Sequence, residues 1–193
     1  MYCKSKIVFV VATILIALAA TSAISQDAAT TPMRGPDVVY VGTPYDILSR
    51  MLQLANPKKS EKIYDLGCGD ARMLVLAAQK YGMRGVGYDI DPERINDSLR
   101  NVERNNVGSL VRIIQADVFT LDLSEADVIS LYLLPEMNLK LLPQLEKMKP
   151  GSRIVCNEYG LEGIIPDKVE HVTCNEDNHE HTLMLYTTPL KRY

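Results

Sequence analysis

From Tyr40 onward the apolar positions follow two alternating periods. Ile47, Leu48, Met51, Leu52 and Ala55 recur at the spacing of one helix face. Thr43-Pro44 ahead of them reads as a helix start, with Thr as N-cap and Pro in the first turn, and Asn56-Pro57 as the stop. Short apolar runs with strand character follow at Lys62–Leu66, Gly85–Tyr88, Val111–Gln115, Asp127–Leu133 and Arg153–Asn157. Between them lie helical patterns at Arg72–Tyr81, closed by Gly82, from Asp91-Pro92-Glu93 to about Asn105, and from Pro135 to Met148. Two further strands, Val169–Thr173 and Thr182–Thr187, flank a polar loop and predict an antiparallel hairpin. Strands alternating with helices predict an α/β fold, a Rossmann-like doubly wound sheet ending in that hairpin.

The N-terminus has a different pattern. Lys4 and Lys6 precede fourteen residues, Ile7–Ala20, whose one mildly polar member is Thr13, and small residues follow to Ser25. This order predicts a signal peptide over residues 1–25, cleaved after Ala23 or Ser25. The rivals are an uncleaved anchor over residues 7–23, seventeen residues against the ~20 a spanning helix needs, and a mis-set start codon. With lysines before the run, signal and anchor alike put the domain outside the cytoplasm, periplasmic or extracellular. Membrane contact is expected only through this leader. Residues 26–37, rich in Thr, Ala, Pro and Gly, read as a linker, and 38–193 as one domain.

Composition narrows the class. The 193 residues are 47% hydrophobic and 23% charged, with net charge −3 and 4 Cys, which excludes collagen-like, disulfide-scaffold and disordered chains. Without the leader, nineteen basic residues face twenty-four acidic ones. No Lys/Arg block offers a footprint for nucleic acid, and a monomer is expected. Cys68, Cys156 and Cys174 lack zinc-like spacing and read as buried free thiols, with a Cys68–Cys156 bridge as the alternative. His171, His179 and His181 lack a third ligand at sensible spacing; no metal is expected, and His179 and His181 read as parts of a polar hairpin.

The chemistry concentrates in Asp65-Leu66-Gly67-Cys68-Gly69-Asp70, between a strand and a helix. Glycines there let a ligand lie against the backbone, and the helix N-terminus offers free N–H groups. Asp89, twenty residues after Gly69, ends the next strand, where a carboxylate can accept both hydroxyls of a ribose. A dinucleotide site wants a third glycine where this chain has Arg72, and Asp65 and Asp70 would repel a pyrophosphate. S-adenosylmethionine has a ribose, an adenine and two cationic groups but no phosphate, and suits the acidic loop better.

The Asp65–Asp70 stretch resembles motif I of class I (seven-β-strand) S-adenosylmethionine-dependent methyltransferases. Gly85–Asp89 resembles their acidic second strand, and Gln115–Phe119 their adenine-holding segment. Tyr40–Pro44, Leu131–Leu141 and Lys149–Val155 are similar, more narrowly, to bacterial relatives of the ATP synthase c-subunit lysine methyltransferase family. The resemblance implies that Asp65, Gly67 and Gly69 line the methionine moiety. It gives the ribose to Asp89, packs Ile90 on the adenine, and has Asp117 and the Val118 backbone read the base. Tyr40 and Thr43 would close over the cofactor from the N-terminal helix. Tyr132–Pro135 would border the methyl acceptor, a protein lysine, with Tyr132 and Glu158 as the candidate catalytic pair. Two departures stand out: Ala71 where the family often has Gly, and Cys156-Asn157-Glu158 where relatives often carry a His-containing pair. Other readings are a small-molecule methyltransferase, a non-catalytic S-adenosylmethionine-binding protein, and an NAD-linked oxidoreductase.

Overall fold

The computed structural model describes residues 33–193 apart from Asp177; the leader and residues 26–32 lie outside the described residues. Helix α1 (Tyr45–Ala55) is followed by β1 (Lys62–Leu66), α2 (Arg72–Tyr81), β2 (Arg84–Asp89), α3 (Pro92–Arg104), β3 (Val111–Gln115), β4 (Val128–Leu131), α4 (Pro135–Leu145), β5 (Arg153–Asn157), β6 (Lys168–Thr173) and β7 (Glu180–Thr187). The strands form one sheet in the order β3-β2-β1-β4-β5-β7-β6. β1 to β5 run parallel, and β7 is antiparallel to both β5 and β6. The order reverses between β1 and β4, which opens a crevice above their carboxyl ends.

Alternate residues of the central strands feed two cores, which is why these strands read as continuous apolar runs. Ile63, Val128 and Val155 pack with α1 and α2, while Tyr64, Ile129 and Ile154 face the α4 side. Helix α2 lies close on β2 because Gly85 and Gly87 have no side chain there. A Cβ at either would stand 2.7–2.8 Å from a Leu74 methyl.

Most predicted elements appear with the same bounds or within two residues of them, and the exceptions have local causes. Pro44, not Thr43, caps α1, in an extended conformation (ψ 149°) and without a side-chain hydrogen bond. Tyr40 and Thr43 therefore sit on the extended segment before the helix rather than on the helix. β4 stops at Leu131, which leaves Tyr132 and Leu133 in the loop at the strand end, and α4 stops at Leu145. A 3-10 turn, Val118–Thr120, intervenes before β4; the Asp117 carboxylate caps it by accepting from Phe119 N–H. The compact unit starts at Met33, so residues 33–37, assigned by sequence to the linker, belong to it. The three described cysteines are free and buried, with no Cys68–Cys156 bridge. Among the described residues no helix is long and apolar enough to cross a membrane.

Candidate functional site

A cleft open to solvent lies over the carboxyl ends of β1, β2 and β4. Of the residues singled out by sequence, it brings together Tyr40, Thr43, Asp65, Gly67, Asp89, Ile90, Val118 and Tyr132. Gly69 lies just beneath: it takes φ 56°, and a Cβ there would fall 2.1 Å from the Tyr40 ring. Only glycine lets Tyr40 rest on the loop.

Backbone donors aim the Asp89 carboxylate. Gly69 N–H donates to Oδ2 (2.9 Å) and Asp91 N–H to Oδ1 (3.0 Å). Each oxygen keeps a further lone pair for a ligand hydroxyl. The loop is fastened from below, because the Gly67 and Cys68 N–H groups donate to Tyr88 O and Ser98 Oγ donates to Gly69 O. Ala71 takes the left-handed φ of 61° where the family often has Gly. The strain, about 1 kcal/mol, is offset by a methyl group fully buried in the core beside α2.

Asp65, the penultimate residue of β1, has its side chain buried and Ser130 of β4 beside it. Burial pushes its carboxyl up to about 7, against the opposing Ser130 hydrogen bond and with help from Asp89 and Asp70. Ser130 was not singled out by sequence; a lone serine in the apolar run Val128–Leu131 was its available signal.

Among the described residues three arginines line the cleft, and all are held by carboxylates. Arg72 is forked onto Asp70 (Nε 2.8 Å, Nη2 2.8 Å) and donates to Thr43 O. Arg94 lies 2.7 Å from both Glu93 and Asp97 and over the Tyr40 ring. Arg34 pairs with Asp37 and grips both oxygens of Asp117 (2.7 and 3.0 Å). Five aspartates line the same cleft. A pyrophosphate finds no uncommitted cation among these side chains. S-adenosylmethionine, which brings a sulfonium and an ammonium, matches the donor set: Asp65 for a cation, Asp89 for ribose, and Ile90 and Val118 for an apolar base.

Three sequence expectations look different in the fold. Asp117 is outside the cleft lining and already bound by Arg34, so an adenine amino group reaching it has to share it. Glu158 is also outside the lining; its Oε1 lies 2.9 Å from Nδ1 of His181. His181 is not a loop residue but a buried member of β7, in phase with core-facing Leu183. That alternation was legible in the sequence, although the polar neighbours obscured it.

The comparisons with known proteins agree with this geometry. The family model of the ANTKMT methyltransferase domain matches residues 65–168. A protein-lysine N-methyltransferase of Saccharolobus islandicus is 39% identical, over 78% of this chain and 94% of that protein. The ATP synthase c-subunit lysine N-methyltransferase of Xenopus laevis is 26% identical, over 74% of this chain and 65% of that protein. A crystal structure described as an RNA methyltransferase from Salinibacter ruber, in complex with S-adenosyl-L-homocysteine, superposes with a TM-score of 0.72. It is 38% identical and covers 77% of this chain and 94% of its own.

Proposed function

The chain belongs to the ANTKMT methyltransferase family and is an S-adenosylmethionine-dependent methyltransferase; from that premise we propose that its methyl acceptor is the side-chain amine of a protein lysine. The observation that carries the proposal is that apolar Leu48, Met51, Leu133 and Met137 line the same cleft as Tyr132 and Asp65. An ammonium is unreactive, and apolar surroundings favour the uncharged amine. The 39% identity to a protein-lysine N-methyltransferase supports the same reading.

The bound cofactor supplies an electrophilic methyl group on a cationic sulfur. The protein's part is positioning and exclusion of water. Asp65 holds the amino-acid end, with Gly67 and Gly69 leaving room for it. Asp89 accepts from the ribose, Ile90 and Val118 pack on the base, and Asp117 and Arg34 border its edge. Tyr40 and Thr43 cover the cofactor from the segment ahead of α1, and Tyr132 orients the acceptor amine at the end of β4. On the composition of the leader, we further propose that the domain is exported. N-terminal mass spectrometry of the native protein is then expected to find Ile24 or Gln26 as the first residue.

The second reading is an RNA acceptor, favoured by the description of the Salinibacter ruber structure. The commitment of all three cleft arginines to carboxylates argues against it here. The test is incubation with methyl-labelled cofactor and fractionated extract. Methyl-lysine in labelled protein bands is expected. Label confined to RNA or to small molecules, or binding without transfer, would overturn the lysine assignment.

A further inference from the structure

Between Pro36 and Pro44 the chain borders the cleft as an extended segment, and burial alternates along it. Val38, Tyr40 and Gly42 are half-buried, whereas Val39 is 88% exposed and Val41 64%. That is the alternation of a β-strand, and Val38-Val39-Tyr40-Val41 has a strand's composition. Yet the segment belongs to no sheet: among the described residues, no backbone N–H or C=O of residues 38–42 has a hydrogen-bond partner. Tyr40 rests on Gly69 and beneath Arg94, and Arg72 holds Thr43 O. The segment is thus fixed in place while the main chain of residues 38–42 stays unused.

An edge of this kind is ordinarily blunted. Proteins put charge, proline or a bulge on a free apolar edge because it pairs with other chains. Here Pro36 and Pro44 only delimit the stretch, and residues 38–42 carry no charge. The segment forms part of the lining of the cleft that holds Asp65 and Tyr132. That lining has five aspartates against three arginines, and each arginine is already held by a carboxylate. A free main-chain edge recognises extended polypeptide, and surplus negative charge draws one that is basic.

We propose that residues 38–42 are the docking edge for the methyl acceptor, which adds to them as an extended β-strand and turns a lysine into the cleft. Residues opposite one another on paired strands share a face. A lysine opposite Tyr40 therefore points the way Tyr40 does, toward the glycine loop that shapes the cofactor site. Its neighbours on either side lie with Val39 and Val41 on the outer face, where apolar side chains can cover those two valines. The lysine arrives charged and loses its proton to water before transfer. Such an edge recognises main chain rather than a folded surface, so the acceptor lysine sits in a terminus or an unfolded loop. The proposal rests on the lysine reading above and adds how the lysine is presented.

Kinetics and hydrogen exchange test this on synthetic peptides that span the lysine identified by methyl labelling. With S-adenosylmethionine, replacing single main-chain N–H groups of the peptide by N-methyl should lower kcat/KM about 10-fold at every second position and little in between. With the full chain bound to S-adenosylhomocysteine, the amides of residues 38–42 should exchange freely. Adding the peptide should slow every second one, either 38, 40 and 42 or 39 and 41, by about 10-fold or more. Neither readout needs a variant to fold. Four results overturn the docking edge and leave the lysine reading intact: losses without the two-residue period, a peptide that is not methylated, protection before the peptide is added, or a dimer of the chain through this edge. Label confined to RNA or to small molecules overturns the lysine reading itself, and the docking edge with it.

Discussion

With Asp65 proposed to hold the cationic end of the cofactor, its raised carboxyl pKa predicts that cofactor binding is linked to a proton. Its carboxyl, buried beside Ser130 with Asp89 and Asp70 near, titrates at about 7 instead of 3.8. Below pH 7 the free protein therefore holds a proton there, and a cationic ligand must displace it. If the ligand returns the group to its ordinary range, the apparent Kd scales inversely with the deprotonated fraction. It should be about 10-fold weaker at pH 6 than at pH 8, which is ~1.4 kcal/mol. Calorimetry with S-adenosylhomocysteine in buffers of differing ionisation enthalpy reads both the affinity and the proton released, about half a proton per site at pH 7. The ligand's own amino group titrates near 8, so Asp65→Asn is the control, expected to bind weakly and with little dependence between pH 6 and 7. The sign for stability follows the same shift. A raised folded pKa favours the folded state below 3.8, and that advantage is lost as the pH rises through 7. The ligand-free protein should melt at lower temperature at pH 8 than at pH 5, and Asp65→Asn should flatten the difference. An affinity equal at pH 6 and pH 8, or a pH dependence that survives Asp65→Asn, would refute the assignment.

Other consequences can be checked with single variants. Gly69→Ala places a methyl group within the Tyr40 ring at a left-handed φ. It should cost about 1–3 kcal/mol in denaturant unfolding and weaken S-adenosylhomocysteine binding, because the loop that feeds Asp89 must shift. Tyr132→Phe is expected to lower kcat about 10-fold or more with cofactor affinity unchanged; an unchanged rate removes Tyr132 from the acceptor site. Burial pushes the Cys68 thiol well above its usual range, and Cys156 likewise. Neither should react with a thiol reagent in the folded protein, and both should react once it is unfolded.

Local information determined much of this protein. The strand–glycine loop–helix unit from Lys62 to Tyr81, the N-cap at Asp91 and the hairpin at the C-terminus were legible because each rests on neighbouring residues: a left-handed φ that favours glycine, a carboxylate reaching a backbone N–H two positions on, an alternation of faces. The pairing of Gly69 with Asp89 was legible too, since their spacing reflects one strand–helix–strand unit. What the chain order does not contain is which distant residues meet. The insertion of β7 between β5 and β6 brings His181 against Asn157 and Glu158, and only the sheet order makes those three neighbours. Arg34 closing on Asp117 across eighty-three residues, and the burial that lifts Asp65 to about 7, are likewise decided by packing. Desolvation and ion pairing depend on what lies within a few ångströms in space, and a sequence records only what lies nearby along the chain. The cofactor was therefore readable before the fold, and the contacts between distant elements around the cleft only after it.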